Sequence, residues 1–236
     1  EDNGLNCRDL IKVAYNTHII TDEHIKNDDK GLNIGTTKSG NGGAYRDKSA
    51  RTGIRAEKIE ELKPYLIDIY EEFYGKIDPY ILFEGAQGFG LDIDWGPFYP
   101  YLTSSNCIVG AALNNGVPYT AINKVYGISK VYVTYVGTKK FQPEGEIFNK
   151  IQQVGQEFGA TTGRVRQVNF LDLDMIVKAV RINGVSNLIF NKLDILQEVN
   201  VWKLYHKKQL IDLKDENSFI SFIKEILTPF VNDIVF

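Results

Sequence analysis

The spacing of apolar and polar residues predicts an alternation of helices and strands along most of the chain. Helical spacing is clearest over residues 56–74, where an apolar stripe lies opposite Glu and Lys residues. Further helices are expected over residues 5–14, 146–158, 170–182 and 218–227, and strands over 17–20, 130–136, 186–190 and 201–204. No repeat or linker interrupts this pattern, so residues 1–236 are expected to form one α/β domain.

The segment from Ile81 to Cys107 combines an apolar run with many polar ligand groups. Ile81, Leu82 and Phe83 precede a Glu-Gly-Ala-Gln-Gly turn, which predicts a buried strand that ends in a glycine-permitted turn. Residues 103–106, Thr-Ser-Ser-Asn, are expected to cap a helix that runs to Leu113. The free N–H groups at such a helix start would suit an anion.

Composition and charge exclude several classes of protein. The net charge is −3 and the basic residues are scattered, which argues against a nucleic-acid surface. No apolar run is long enough to cross a bilayer. The two cysteines, Cys7 and Cys107, are far apart, which favours a reduced, cytoplasmic setting over a disulfide framework.

A glycine-rich stretch at residues 34–45 precedes Arg46, Lys48, Arg51 and Arg55. Glycine lets backbone N–H groups approach a ligand closely, and guanidinium groups match phosphate oxygens, so this stretch suits phosphate binding. A surface loop that leads into a solvated helix explains the pattern equally well. The stretch matches neither the Walker pattern nor the dinucleotide fingerprint.

Two later loops also carry candidate binding groups. Residues 159–167 contain Thr161, Thr162, Arg164 and Arg166, which could clamp a carboxylate or phosphate; the alternative is a helix cap followed by an exposed basic strand. The Asn-Lys-Leu-Asp turn at residues 191–194 follows an apolar strand. That pattern is typical of guanine recognition, and a plain β-turn is its alternative.

Five segments, in order, resemble the adenylosuccinate synthetase family over roughly residues 31–198: GTTKSGNGGAYRDKSARTGIR, LFEGAQGFGLDIDWGPFYPYLTSSN, GATTGRVRQ, AVRING and NKLD. The resemblance implies an α/β fold with a mainly parallel central sheet and helices on both faces, a P-loop-like nucleotide ligase architecture. It also implies a cytoplasmic homodimer of purine biosynthesis, with no nucleic-acid or membrane partner. The expected reaction uses Mg²⁺ and GTP to join aspartate to C6 of IMP through a 6-phosphoryl intermediate.

The same resemblance assigns roles to individual residues. Thr37 and Thr103 would bind the substrate 5′-phosphate, and Arg51 would reach it from the neighbouring subunit. Gln87 would contact the purine near O6 and is the expected catalytic residue. Aspartate binding would fall to Thr161, Thr162, Arg164 and Arg166, and guanine binding to Lys192 and Asp194. No metal ligand is expected within this chain.

Departures from the family pattern limit what the resemblance implies. The family's amino-terminal loop with its general base, and the histidine that serves as general acid, are not among these residues. We therefore expect this chain to be the larger carboxy-terminal part of a longer protein and to be inactive alone. Changes at Lys38, Ser39 and Gly43, an inserted Pro97-Phe98 and the Thr138–Pro143 stretch surround the monophosphate.

Two alternative functions therefore remain open. In the first, a phage branch of the family carries out the same chemistry on dGMP, with ATP or dATP as the phosphoryl donor. In the second, the chain is a non-catalytic guanine-nucleotide-binding module, and its Asn-Lys-Leu-Asp turn and glycine loop serve switching.

Overall fold

The computed structural model describes Gly4, Asn6 and residues 8–28, 34–75, 80–159 and 163–236. The helices within these residues are α1 (Asp22–Asn27), α2 (Asn41–Ala50), α3 (Ile69–Tyr74), α4 (Gly110–Leu113), α5 (Glu146–Val154), α6 (Leu173–Asn183), α7 (Leu193–Val199) and α8 (Glu216–Leu227). Short 3₁₀ helices span Arg8–Leu10, Ala56–Lys58, Glu60–Tyr65, Phe89–Leu91 and Tyr119–Ala121.

The strands of the described residues form three sheets. They are β1 (Val13–Ala14), β2 (Leu66–Ile67), β3 (Tyr126–Lys130), β4 (Tyr132–Tyr135), β5 (Gln167–Asp172), β6 (Asn187–Asn191), β7 (Lys203–His206), β8 (Gln209–Asp212) and β9 (Asp233–Val235). The pair β1-β2 and the sheet β3-β6-β9 are parallel throughout. In the sheet β4-β5-β7-β8, the parallel pair β5-β7 lies between two antiparallel pairs.

The hydrophobic core lies in the second half of the chain. Its buried residues run from Val131 to Val231 and include Leu171, Leu204 and Phe219, each 0 % exposed. In the first 130 residues the structure records only Ala44, Ala56 and Val117 as buried hydrophobic residues among those it describes. The second half therefore supplies most of the apolar burial that holds the described fold together.

Local capping explains why the later helices begin and end where they do. The Asp172 side chain accepts a hydrogen bond from the N–H of Met175 at the start of α6, and Gly184 ends that helix with a left-handed φ of 59°. Asp215 caps α8 in the same way through Ser218. A capping carboxylate satisfies a backbone donor that the helix itself leaves unpaired.

The helix predicted over residues 56–74 is wrong. Two 3₁₀ helices, strand β2 and helix α3 occupy these residues instead. Pro64 lies inside the second 3₁₀ helix, and proline lacks the N–H that a continuous α-helix would need there. Ile59 and Leu66 are extended, and Asp68 caps the separate helix α3.

Two expectations for the segment from Ile81 to Cys107 are also wrong. Residues 81–83 form no strand, and Leu82 is 81 % exposed. The Thr103–Asn106 stretch does not cap a helix: α4 begins only at Gly110, after Val109, whose side chain makes no capping hydrogen bond. The apolar spacing of residues 81–83 does not reveal how exposed these side chains are in the folded chain.

Several predicted elements are confirmed. Helix α5 lies within the predicted residues 146–158, strand β6 within one residue of 186–190, and α8 includes residues 218–227. The α/β class with parallel strands is confirmed as well. None of the helices in the described part of the chain is both long and apolar enough to span a bilayer.

Candidate functional site

The glycine-rich loop forms the entrance to helix α2. Gly35 and Gly40 have φ values of 77° and 78°, a region that suits glycine. The Gly40 N–H donates to the Asp28 carboxylate at 2.9 Å. Thr37 is exposed, and its hydroxyl lies 2.8 Å from the Ser39 hydroxyl. The loop thus presents hydroxyl groups at the surface from a fixed backbone.

Direct contacts bring this loop against three distant segments. Arg164 donates from Nη2 to the Gly35 carbonyl oxygen at 3.0 Å. A Cβ at Gly35 would lie 2.9 Å from the Thr138 nitrogen, and one at Gly42 would lie 3.0 Å from the Ser104 hydroxyl. The structure therefore brings together the glycine loop, the segment that contains Thr103 and Ser104, the Thr138 stretch and Arg164.

Asp92 shapes the segment from Ile81 to Cys107, which is called the middle segment below. Its side chain is 0 % exposed and accepts hydrogen bonds from the backbone N–H groups of Asp94, Trp95 and Cys107. Burial tends to raise the pKa of this carboxyl, but the three backbone donors outweigh it and lower the pKa. Asp92 therefore closes the loop over residues 92–107, a structural role, and Asp94 assists by accepting from Asn106 at 2.7 Å.

Gln87 follows an exposed stretch without regular secondary structure. Its side chain is solvent-exposed and its backbone has a left-handed φ of 66°. Arg51, which ends α2, and Lys192, which precedes α7, share this conformation, with φ values of 64° and 68°. A side chain in this region carries strain on the order of 1–3 kcal/mol, and such strain clusters at functional sites.

Residues 157–159 and 164–166 form the two sides of a short hairpin, which we call the arginine hairpin. The Gly159 N–H donates to the Arg164 carbonyl at 2.7 Å, and the Arg166 N–H donates to the Glu157 carbonyl at 2.9 Å. Phe158 and Val165 form a bridge between these bonds. Arg164 and Arg166 thus lie beside the hairpin tip, while Thr161 and Thr162 lie outside the described residues.

The Asn-Lys-Leu-Asp turn follows strand β6. Lys192 forms the cap position of α7, and its Nζ donates to the Gly155 carbonyl at 3.3 Å. Asp194, in the first turn of α7, is exposed. An exposed carboxylate beside a lysine stem can accept two hydrogen bonds from the N1 and N2 groups of a guanine.

A buried charge cluster connects the arginine hairpin to strand β3, and the sequence patterns did not reveal it. Glu157, 1 % exposed, accepts from Lys130 Nζ at 2.7 Å, from the Tyr132 hydroxyl at 2.6 Å and from Arg166 Nη1 at 3.0 Å. Burial raises the pKa of the Tyr132 hydroxyl, and the neighbouring carboxylate adds to that rise. These partners lie 9 to 27 residues from Glu157, too far apart for a local motif.

Strands β3 and β6 run parallel and end at Lys130 and at the Asn-Lys-Leu-Asp turn, with the arginine hairpin beside them. This arrangement defines an α/β protein whose strand-end loops are typical of nucleotide-binding folds. The chain belongs to the adenylosuccinate synthetase family, because the family model described as adenylosuccinate synthetase matches residues 1–65 and 56–217.

Curated relatives agree with this assignment. The adenylosuccinate synthetase of Oceanobacillus iheyensis is 38 % identical over 250 residues, covering 83 % of this chain and 58 % of that protein. The Chlorobium phaeovibrioides enzyme is 35 % identical over 285 residues, covering 96 % of this chain and 65 % of that protein. The chain thus spans about three-fifths of the relatives' length. The aligned stretches exceed the 236 residues of this chain, so the relatives contain insertions relative to it.

Solved structures share the fold. Fully ligated adenylosuccinate synthetase from Plasmodium falciparum matches with a TM-score of 0.85 at 22 % identity, covering 99 % of this chain and 77 % of that one. The succinoaminodeoxyadenylate synthetase PurZ of cyanophage S-2L, bound to dGMP and dATP, matches with a TM-score of 0.64 at 19 % identity, covering 90 % and 71 %. At these identities the likeness concerns the fold alone.

Proposed function

We propose that the protein containing this chain is a C–N ligase that joins aspartate to C6 of IMP with hydrolysis of GTP. The observation that carries this proposal is the contact of the Gly35 carbonyl with Arg164, together with the close approach of Gly35 to Thr138. It brings a candidate phosphate loop and a candidate carboxylate-binding arginine to one place. Family membership supports the same chemistry.

The monophosphate would bind between the glycine loop and the middle segment. Thr37 is exposed on the loop, and Thr103 precedes Ser104, which lies against α2. Both threonines would donate to the 5′-phosphate. Arg51, exposed at the end of α2, would reach that phosphate from the other subunit of a homodimer.

The other two substrates would bind at the arginine hairpin and at the Asn-Lys-Leu-Asp turn. Arg164 and Arg166 would hold the aspartate carboxylates, together with Thr161 and Thr162. Asp194 would accept from guanine N1 and N2, while the Lys192 stem lies against the base. The link from Lys192 to Gly155 supports a shared site, because Gly155 lies two residues before the hairpin.

In the proposed reaction, N1 of the purine gives up its proton to a general base, O6 attacks the γ-phosphorus of GTP, and GDP leaves. The aspartate amine then attacks C6 and expels phosphate. Gln87 would donate a hydrogen bond near O6, stabilising the charge that develops there. Positioning and charge neutralisation dominate such a reaction.

Mg²⁺ would enter this reaction with the triphosphate. Within the residues that the structure describes, no group of three or more His, Cys, Asp or Glu side chains could hold a metal ion. The described residues therefore do not fit a dedicated metal site.

One observation favours the alternative in which the monophosphate is dGMP and the donor is ATP or dATP. The inserted Phe98 contacts the divergent stretch that follows Thr138: Lys139 Nζ lies 2.9 Å from the Phe98 ring centroid, and the Phe98 and Phe141 rings are 6.4 Å apart. Two departures from the family pattern thus meet beside the proposed monophosphate site. A joint change at this place supports an altered monophosphate.

A substrate matrix separates these functions. The full-length protein is mixed with aspartate, with IMP or dGMP, and with GTP or ATP, and the ultraviolet shift of the succinylated purine is followed. Product from IMP and GTP is the expected result. Product from dGMP but not from IMP would show that dGMP is the monophosphate substrate. Hydrolysis of the triphosphate with no succinylated product would indicate a guanine-nucleotide switch.

A further inference from the structure

Glu157 is a buried carboxylate at the base of the arginine hairpin, and its two oxygens are fully engaged. Lys130 Nζ lies 2.7 Å from both oxygens, the Tyr132 hydroxyl 2.6 Å from one, and Arg166 Nη1 3.0 Å from the other. A charge so deeply buried persists only when donors replace its lost water. The group of Glu157, Lys130, Tyr132 and Arg166 is called the Glu157 cluster below.

The cluster contains more positive than negative charge. One carboxylate faces two cations. Lys130 is also repelled by the positive charges of Arg166 and Lys192. Burial would raise the pKa of Glu157, but Lys130, Tyr132 and Arg166 hold it below its ordinary value. The ionised carboxylate is therefore what allows the lysine and the arginine to lie close together.

One side of the cluster fixes the arginine hairpin. The Arg166 side chain bonds the Glu157 carboxylate, while its N–H donates to the Glu157 carbonyl at 2.9 Å. Gln152 of α5 donates to the Arg166 carbonyl at 2.5 Å. Gln152 and Glu157 thus form hydrogen bonds with both the backbone and the side chain of Arg166. The orientation of the Arg166 guanidinium therefore depends on Glu157.

The other side of the cluster reaches the Asn-Lys-Leu-Asp turn by two routes. Lys130 is the parallel neighbour of Asn191 in the sheet, and the following N–H of Val131 donates to the Asn191 carbonyl at 3.1 Å. Lys192 Nζ donates to the carbonyl of Gly155, two residues before Glu157. Helix α5 also packs against α7, which follows the turn. These contacts connect the residues around Glu157 to Asn191 and Lys192, the first two residues of the turn.

We propose that Glu157 is a positioning residue that couples the arginine hairpin to the Asn-Lys-Leu-Asp turn, so that a dicarboxylate and a guanine nucleotide bind cooperatively. The proposal rests on the proposed function, because that function assigns a dicarboxylate to the hairpin and guanine to the turn. It adds a linkage between the two sites and a residue that carries it. The linkage is reciprocal: each ligand raises the affinity of the other by the same factor.

The experiment measures GDP binding by calorimetry to the full-length protein, with and without saturating L-aspartate. In the unaltered protein, aspartate should tighten GDP binding by about fivefold or more, the lower range of measured couplings. In Glu157→Gln this factor should fall to about one, while the affinity for GDP alone changes by less than about threefold. The matched control is Glu144→Gln, which removes the same charge from a side chain that is 92 % exposed.

A second variant protects the test against misfolding. Tyr132→Phe removes one donor and keeps every charge of the cluster, so it should lower the coupling factor by a smaller amount in a folded protein. A purely structural cluster would lower thermal stability in both variants and leave the coupling factor unchanged, which would overturn the proposal. Failure of aspartate or GDP to bind the unaltered protein would overturn the proposed function itself. A factor of one with both ligands bound would overturn only the coupling.

Discussion

The guanidinium of Arg164 donates to the carbonyl oxygen of Gly35 at 3.0 Å, across 129 residues of sequence. Gly35 has a φ of 77°, and a Cβ there would lie 2.9 Å from the Thr138 nitrogen. Gly35→Ala should therefore displace the loop and weaken monophosphate binding, raising its KM about tenfold. Steady-state kinetics against the monophosphate will measure this.

The control for this variant is Gly110→Ala. Gly110 lies in α4, has an ordinary φ, and a Cβ there would meet Ile108 at an unstrained 3.5 Å. Its KM should match that of the unaltered protein. An unchanged KM in Gly35→Ala as well would mean that the loop does not hold the monophosphate.

Arg51 tests the proposed sharing of sites between subunits. Arg51→Asn removes the guanidinium, while asparagine tolerates the left-handed backbone at this position. Loss of a charge-assisted contact should raise the monophosphate KM by roughly 10- to 100-fold with the melting temperature unchanged. Arg46→Asn, on the same helix with a side chain 72 % exposed, should leave KM unchanged.

Mixing variants decides which subunit supplies Arg51. In a dimer with shared sites, Arg51→Asn and Arg164→Ala subunits combine into heterodimers that contain one intact site. Mixing the two impaired proteins should therefore restore activity. If the mixture stays as inactive as its components, Arg51 acts within its own subunit.

Asp194 should determine the choice of nucleotide base. Asp194→Asn replaces an acceptor that receives guanine N1 and N2 with an amide that can donate to a C2 carbonyl. The KM for GTP should rise about 100-fold, the loss of two hydrogen bonds to a charged group. Xanthosine triphosphate should recover much of the activity. Asp212→Asn, 65 % exposed on β8, is the matched control.

The base specificity also bears on the donor alternative. An enzyme that uses ATP would not rely on Asp194, so its kinetics would be the same in Asp194→Asn. That result would remove the guanine role of the turn.

The Glu157 cluster predicts a dependence of stability on pH. The pKa of Glu157 in the folded protein is lowered from 4.5, with Lys130, Tyr132 and Arg166 as the partners that oppose the effect of burial. Its contribution is therefore present above about pH 4.5 and disappears as the pH falls through the lower folded pKa. Glu157→Gln should cost about 3 kcal/mol at pH 7, and the difference from the unaltered protein should narrow below pH 4.

Urea denaturation of both proteins between pH 3 and pH 8 measures this difference in the free energy of unfolding. Because the other carboxyl groups are the same in both proteins, their titration cancels. A difference that stays constant across this range would show that the pKa of Glu157 is the same in the folded and unfolded states, which would contradict the lowered pKa.

Cys107 should be slow to react. Burial, with the Asp92 carboxylate as a second cause, raises the pKa of its thiol from 9.0 to about 11. Only the thiolate is nucleophilic, so alkylation by iodoacetamide at pH 8 should be about 100-fold slower than that of a solvent-exposed cysteine. Mass spectrometry of the Cys107 peptide follows the rate, with glutathione in the same tube as the reference. A rate equal to that of glutathione would contradict the pKa.

Prediction from sequence succeeded where structure depends on neighbouring residues. Helix α8 begins at the Asp215 cap, and strand β6 lies within one residue of the prediction. It failed over residues 56–74, where the prediction depended on apolar spacing alone and did not consider Pro64, which interrupts a continuous α-helix. It also failed at Leu82, because periodicity does not show whether a partner surface exists.

The same distinction between local motifs and contacts created by folding applies to the residues of the candidate site. Arg164 and Asp194 could be named from motifs because each motif is a short run of residues. Glu157 could not, since its role arises from Lys130, 27 residues earlier in the chain, and from burial that only the folded chain creates. Thr161 and Thr162 remain predictions, outside the described residues.

The backbone is left-handed at Arg51, Gln87 and Lys192. At each position this conformation lowers the stability of the fold, while the side chain is proposed to contact a ligand. Glycine would relieve the strain at each of them, by about 1 kcal/mol or more. A laboratory selection for heat resistance alone would therefore favour glycine there and remove the side chains proposed to touch ligands. These three positions should be held fixed in any effort to engineer a more durable form of the protein.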